Sequence, residues 1–139
     1  MRLITVLVLG LMLSSCGVLP SDKYNKYEIT SRAYEKALRW GDFYSAYSFH
    51  VNEKPLTENE RARFKRISVT KFDLIDNFID PDEKNARQII ELKYYFEDYQ
   101  VEKDITFNLK WEYDEKQKRW LITSPFPELR SLVKTTPQP

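Results

Sequence analysis

The sequence predicts an α+β domain in which N-terminal helices pack on a curved antiparallel sheet of about four strands. Apolar residues recur at helical spacing up to about residue 65, and the spacing then changes to alternation up to about residue 124. Pro125 and Pro127 end the alternating region. Helices followed by a run of strands are typical of an antiparallel sheet with helices on one face. The chain has 139 residues, enough for one domain.

Two helices are predicted around a Gly-Asp pair. Tyr27 and Tyr34 are seven residues apart and therefore share one face of a helix over 24–40. Gly41 is suited to end this helix, because glycine adopts the left-handed conformation found there. Asp42 is suited to cap the second helix.

A capping box precedes a short third helix. Thr57 can accept a hydrogen bond from the amide of Glu60, and the Glu60 side chain can accept one from the amide of Thr57. We expect this helix to end at about Lys65.

The alternating region predicts four strands. The first begins at Ile67 and changes phase near Lys71, which indicates a β-bulge. Further strands are predicted over 86–97, 101–113 and 119–124. Apolar residues occupy one face of each strand, so we expect one face of the sheet to be buried and the other to contact water.

The first fifteen residues predict a secretory signal. A basic start is followed by an almost wholly apolar stretch over 3–13 and two serines. That stretch is too short for a bilayer core, which takes about 20 apolar residues. We therefore divide the chain into a signal peptide (1–15), a tether (16–23), the α+β domain (24–127) and a C-terminal tail (128–139).

The run Leu13-Ser14-Ser15-Cys16 resembles the bacterial lipobox. The resemblance implies a diacylglycerol thioether on Cys16, cleavage before it and acylation of its new amino group, and hence a membrane anchor. Gly17 stands where Asp would imply retention in the inner membrane, so the outer membrane is expected, with the domain facing the periplasm. This inference applies only to cells with two membranes. An ordinary secreted protein and an uncleaved anchor are the alternatives.

The helical step Trp40-Gly41-Asp42-Phe43 with Ala46-Tyr47, and the closing hairpin from Trp111 to Trp120, resemble the cystatin-like cone folds, in particular the nuclear transport factor two-like superfamily. The resemblance covers about 24–127. It implies a curled sheet around a pocket. Some cones of this kind act as isomerases with an Asp base beside a Tyr donor.

The sequence offers little catalytic chemistry. His50 is the only histidine, so a zinc site with four nitrogen or sulfur ligands is excluded. His50 is either a general base or, the interpretation we favour, a residue at a helix end where the dipole favours a cation. Asp73 or Asp76 would have to supply an isomerase base, but solvated positions at a strand edge explain them better. We expect no catalytic residue, no metal and no cofactor.

Charge and surface residues indicate the class of partner. Without Arg2, the chain from Cys16 has 21 basic and 21 acidic residues, which argues against a nucleic-acid partner. Four cations within six residues form either a solvated helix face or a contact for anionic lipid or an acidic partner. Two tyrosines on the sheet face away from the core are suited to a protein contact. These candidate contact residues are Arg61, Arg63, Lys65, Arg66, Tyr95 and Tyr99.

The sequence is compatible with two functions. The first is an envelope lipoprotein that binds a protein partner, or acts as a scaffold, without catalysis. The alternative is a cone domain that binds a small hydrophobic ligand or acts as an isomerase. A pocket of roughly 300 Å³ or more with convergent polar groups would favour the alternative.

Overall fold

A computed structural model describes Gly17 and residues 19–129. Three helices precede four strands, and the strands form one antiparallel sheet in the order β1-β2-β3-β4. This confirms the predicted fold class. Cys16, the signal segment and residues 130–139 of the predicted tail lie outside the described residues. The elements are α1 (Asp22–Arg39), α2 (Phe43–Tyr47), α3 (Glu58–Phe64), β1 (Ile67–Ile79), β2 (Asn85–Phe96), β3 (Lys103–Asp114) and β4 (Arg119–Ile122).

Local capping sets the helix ends. Helix α1 begins two residues before the predicted start, because the Ser21 hydroxyl accepts a hydrogen bond of 3.0 Å from the Tyr24 amide. Gly41 follows α1 with φ of +70°, a conformation that costs glycine little. Asp42 then caps α2 by accepting a hydrogen bond of 3.1 Å from the Ser45 amide.

The predicted capping box is present at α3. The Glu60 amide donates to Thr57 Oγ1 at 3.3 Å, and the Thr57 amide donates to Glu60 Oε2 at 2.9 Å. Two of the amides that a helix start leaves unpaired are thereby satisfied. The helix stops at Phe64, one residue before the predicted end.

Strand β1 contains two irregularities. Its pairing with β2 shifts between Val69 and Lys71, which confirms the predicted bulge, and shifts again between Leu74 and Asp76. Each extra residue bends the strand and increases its twist, so the two shifts curl this edge of the sheet. The second bulge was not predicted.

Helix α1 lies across the inner face of the sheet. Tyr27 and Tyr34 both pack edge-on against Trp111, with ring centroids 5.9 and 5.8 Å away. Trp111 is fully buried, and such ring pairs add about 0.5–1.5 kcal/mol each to the burial of apolar area. Leu129 is also fully buried, so the packed chain continues past Pro127. Within the described residues, no helix is both long enough and apolar enough to cross a bilayer.

Candidate functional site

His50 follows α2 and is buried against α1 and the segment after β4. Its Nδ1 lies 2.8 Å from the carbonyl oxygen of Ser124, which can only accept, so Nδ1 carries the proton. Its Nε2 lies 3.1 Å from the Tyr34 hydroxyl and accepts a hydrogen bond from it. Burial lowers the pKa of His50 and raises the pKa of Tyr34 well above its ordinary range. The imidazole is therefore neutral and fully paired, and the expected cation at a helix end is not found.

A second polar network joins the sheet to α1. Gln88 is fully buried on β2; its Oε1 accepts a hydrogen bond of 3.0 Å from Trp111 Nε1. Its amide nitrogen donates to Glu35 Oε1 at 2.9 Å. Burial raises the pKa of Glu35, and the bond from Gln88 opposes that rise. Gln88 is not among the residues predicted from the sequence, although it occupies the same face of β2 as Ile90 and Leu92.

The space between these networks contains the protein's own aromatic rings. Tyr34 contacts Phe49 and Trp111 at centroid distances of 5.6 and 5.8 Å. Farther along the sheet the rings of Phe43, Tyr47, Phe64 and Phe126 form a second group, with centroids 5.1 to 6.5 Å apart. A ligand in this interior, between the helices and the sheet, would have to displace these side chains.

The two aspartates considered for isomerase chemistry face away from this interior. Asp73 pairs in register with Glu91, and Asp76 with Ile89, whereas the inner face of β2 is formed by its even-numbered residues. Asp73 also forms an ion pair of 2.5 Å with Lys71. Neither carboxylate therefore lies beside a buried tyrosine.

An open groove of about 320 Å³ lies at the β4 edge of the sheet. Its volume meets the size set above for a ligand pocket, but it borders the aromatic interior at Phe49 and Trp120, and Tyr34 and Trp111 do not line it. Two hydroxyls line it, and both already donate to carbonyls of their own helices: Thr30 to Lys26 and Ser48 to Ser45. The lining residues are Thr30, Ser48, Phe49, Val51, Arg119, Trp120 and Leu121.

Two of the candidate contact residues, Arg66 and Tyr99, meet at the end of the sheet that holds the β2–β3 turn, which we call the distal end. The carbonyl of Arg66 accepts a hydrogen bond of 2.9 Å from the Glu97 amide, and the Arg66 guanidinium pairs with Asp98. These bonds bring the chain after α3 beside the turn that carries Tyr99, whose side chain is 55% exposed. Tyr95 is half-buried on the outer sheet face.

Of the other three cations, Arg61 and Arg63 lie within α3 and Lys65 directly follows it. Arg61 is exposed and lies over the ring of Tyr44, with its guanidinium carbon 4.9 Å from the ring centroid. Arg63 is half-buried, and Lys65 is the exposed C-cap of the helix. The cluster is therefore divided between contacts to α2 and contacts to the β2–β3 turn.

Among residues 17 and 19–129, no group of three or more His, Cys, Asp or Glu side chains is arranged to hold a metal ion. Compared with models of known protein families and with curated proteins, the chain matches none of them.

Proposed function

We propose that this protein is a lipid-anchored lipoprotein of the bacterial envelope whose domain binds a protein partner and performs no catalysis. Lipid on Cys16 would anchor it, and the fold would be a cone of the nuclear transport factor two-like type. Gly17 after the lipidated cysteine supports the outer membrane, with the domain in the periplasm. The observation that carries the proposal is the aromatic filling of the cone.

That filling bears on the choice between the two functions. A cone that binds a ligand needs an open interior with polar groups free to contact the ligand. Here Trp111 and Tyr34 occupy the interior. The buried polar side chains beside them, His50 and Gln88, already bond to protein groups. This supports a binding module that uses its surface.

The position of the anchor orients the domain. From Cys16 to Asp22 the chain makes six residue steps, which span at most about 22 Å when extended. At the start of α1, Ser21 donates to Glu83 in the β1–β2 turn. Lys23 pairs with Glu115 in the β3–β4 turn. The sheet end that holds these two turns is therefore nearest to the anchor, and we call it the proximal end.

The distal end is the opposite end of the strands. Strand β2 has 12 residues, and at about 3.3 Å per residue it is roughly 40 Å long. Attraction to anionic lipid decays within a Debye length of about 8 Å at physiological salt. Arg61, Arg63, Lys65 and Arg66 are thus better suited to an acidic partner than to lipid headgroups. Arginine and tyrosine, as in Tyr99, are enriched where proteins meet.

Lipidation is tested by replacing the cysteine. Cys16→Ser removes the atom that carries the lipid, and we expect the protein to leave the membrane fraction or to be mis-sorted without unfolding. Mass spectrometry of the mature protein and membrane fractionation provide the measurement. An unchanged mature mass together with unchanged fractionation would contradict the proposed lipid anchor.

Partner binding is tested by co-purification from gently solubilised envelope, with the lipidated protein as bait. We expect a stoichiometric partner whose yield falls at least fivefold for Tyr99→Ser, because this change removes an exposed ring at the distal end. Tyr24→Ser is the matched control, since Tyr24 is an exposed tyrosine at the proximal end. Recovery of no stoichiometric partner, or an equal loss for both variants, would count against the proposal.

A further inference from the structure

Two of the three tryptophans in the chain are buried and one is exposed. The indole N–H of buried Trp111 donates to Gln88 Oε1 at 3.0 Å. The indole N–H of buried Trp120 donates to the carbonyl of Lys23 at 2.9 Å. Trp40 is instead 77% exposed, and its indole N–H has no hydrogen-bond partner among the described residues. Trp40 therefore presents a large apolar ring and a free donor at the surface.

Trp40 lies at the distal end of the sheet. It is the C-cap of α1, and a Cβ on the next residue, Gly41, would lie 3.4 Å from the carbonyl oxygen of Ile67. Ile67 in turn pairs with Phe96, the last residue of β2 before the β2–β3 turn. Trp40 is thus at the same end of the domain as Tyr99, although it is not among the contact residues predicted from the sequence.

A second exposed ring lies close to Trp40 in the sequence, on α2. Tyr44 is 52% exposed, and the guanidinium carbon of Arg61 lies 4.9 Å from the centroid of its ring. Helix α2 packs on α3 through the rings of Phe43 and Phe64, whose centroids are 5.9 Å apart. We call the surface formed by Trp40, Tyr44 and Arg61 the distal corner. Tryptophan, tyrosine and arginine are the residue types enriched at binding hot spots.

The cations around the distal corner are not neutralised within the protein. Lys36 and Arg39 stand in the last turn of α1, Lys65 is the C-cap of α3, and all three are exposed. Among the described residues, neither these three cations nor Arg61 forms an ion pair. Both carboxylate oxygens of Asp42 already accept hydrogen bonds within α2, at 3.1 and 2.6 Å. The corner is therefore complementary to a surface that carries negative charge.

We infer that the protein partner binds the distal corner through an acidic segment that also carries an apolar side chain. The inference rests on the proposed function and names the chemistry of the partner. The apolar side chain would cover the indole of Trp40, and the carboxylates would pair with Arg61 and the neighbouring cations. Anionic lipid is the poorer occupant, because β2 separates the corner from the proximal end by roughly 40 Å. Attraction to lipid headgroups decays within about 8 Å.

The first experiment measures binding of an acidic peptide to the full lipidated protein in nanodiscs of neutral phosphatidylcholine. The probe is fluorescein-labelled Gly-Glu-Leu-Asp-Glu-Leu-Glu, and its uncharged counterpart has Gln and Asn in place of Glu and Asp. We expect saturable binding of the acidic peptide by fluorescence anisotropy, and binding at least tenfold weaker for the counterpart. Trp40→Ser should weaken binding of the acidic peptide at least tenfold, and Arg61→Gln at least fivefold.

Two matched controls keep the exposed apolar surface and the charge apart. Ile29→Ser is the control for the indole, since Ile29 is 71% exposed on α1 but lies well before its C-terminal end. Arg119→Gln is the control for charge, since Arg119 is exposed beside the β3–β4 turn at the proximal end. Both should bind the acidic peptide as the wild type does, and all four variants should keep the wild-type midpoint of urea unfolding.

Three results would overturn the inference. The first is no saturable binding of the acidic peptide, or equal binding of the two peptides. The second is equal binding of the acidic peptide by Trp40→Ser and the wild type. The third is loss of peptide binding when phosphatidylglycerol is added to the nanodiscs, because anionic lipid would then occupy the corner.

Co-purification from solubilised envelope separates this inference from the proposed function. The yield of the partner should fall at least tenfold with Trp40→Ser as bait and stay unchanged with Ile29→Ser. A partner recovered equally by Trp40→Ser and the wild type would overturn the inference and leave the proposed function standing. Recovery of no stoichiometric partner by the wild type would contradict the proposed function and, with it, the inference.

Discussion

The two edges of the sheet are protected in different ways. Strand β1 is a long edge of 13 residues with two bulges. It exposes charged side chains, among them Lys71 and Asp76, next to apolar Ile75, which is 57% exposed. Strand β4 has only four residues, and the chain over 49–51 pairs with its outer side at Ile122.

This difference shows which contacts keep each edge from pairing with another strand. The bulges and charges of β1 are local, and they discourage pairing with another strand without much help from the rest of the fold. The segment over 49–51 is held on β4 by His50, which bonds to Tyr34 on α1 and to Ser124, 74 residues away in the sequence. A change at β4 should therefore affect the stability of the whole domain, whereas a change at β1 should mainly affect association.

The largest effect is expected for His50→Ala. The change leaves the Tyr34 hydroxyl and the Ser124 carbonyl without their buried partner and creates a cavity beside Phe126. We expect the free energy of unfolding to fall by about 2–4 kcal/mol, from a buried group left unpaired and from lost packing. Urea unfolding followed by tryptophan fluorescence measures this change.

Ser48→Ala is the control for that experiment. Ser48 lies two residues away, is exposed and donates only to a carbonyl of its own helix. Its loss should change the free energy of unfolding by no more than about 0.5 kcal/mol. A comparably small loss for His50→Ala would contradict the view that the buried network holds 49–51 on β4.

A smaller effect is expected from pH. Burial lowers the pKa of His50 below its ordinary 6.5 in the folded protein, and the hydrogen bond to the Ser124 carbonyl and the charge of Glu53 oppose that shift only in part. As the pH falls below about 6.5, the unfolded chain binds a proton that the folded chain resists. The contribution of His50 to stability is therefore complete above pH 6.5 and declines as the pH falls through the lowered pKa.

His50→Gln tests this pH effect, because glutamine can form hydrogen bonds at the same position but does not titrate. The free energy of unfolding of the wild type should fall more steeply from pH 7 to pH 5.5 than that of His50→Gln. Glu35, whose pKa is raised by burial, contributes with the opposite sign in both proteins and cancels in the comparison. Parallel slopes would show that His50 is not the group responsible.

Features fixed by neighbouring residues could be read from the sequence. Gly41, Asp42 and the Thr57 capping box depend on contacts within four residues, and the structure has them where they were predicted. The protonation state of His50 depends on Tyr34 and Ser124, which are far from it in the chain. No periodicity reports such contacts, so this feature of the candidate site became visible only in the folded protein.

The same limit applies to the candidate contact residues. On the sequence alone, Arg66 belongs to a cluster of cations with its neighbours in α3, and Tyr99 is a separate candidate. The fold brings both to the distal end through the Arg66–Asp98 pair and the bond from the Glu97 amide. The buried Gln88 is a different case, because its in-phase position on β2 was readable and its polar side chain could have signalled a buried network.

The smallest effect on stability is expected for Asp76→Val, at the opposite edge. Asp76 is exposed beside the second bulge, so its replacement should change the free energy of unfolding by no more than about 0.5 kcal/mol. The variant nevertheless places valine next to exposed Ile75 on an unpaired edge and removes a charge that discourages strand pairing. We expect more self-association than in the wild type, measured by size-exclusion chromatography of the lipidated protein across a concentration series.

Glu91→Val separates the edge from simple hydrophobicity. Glu91 lies on the same outer face, but β2 is paired on both sides there, with Asp73 on β1 and Thr106 on β3. This change adds the same valine without adding an open edge, so it should leave the elution volume at each concentration close to that of the wild type. Equal self-association of the two variants would mean that the exposed apolar face, and not the unpaired main chain of β1, is what the charges protect.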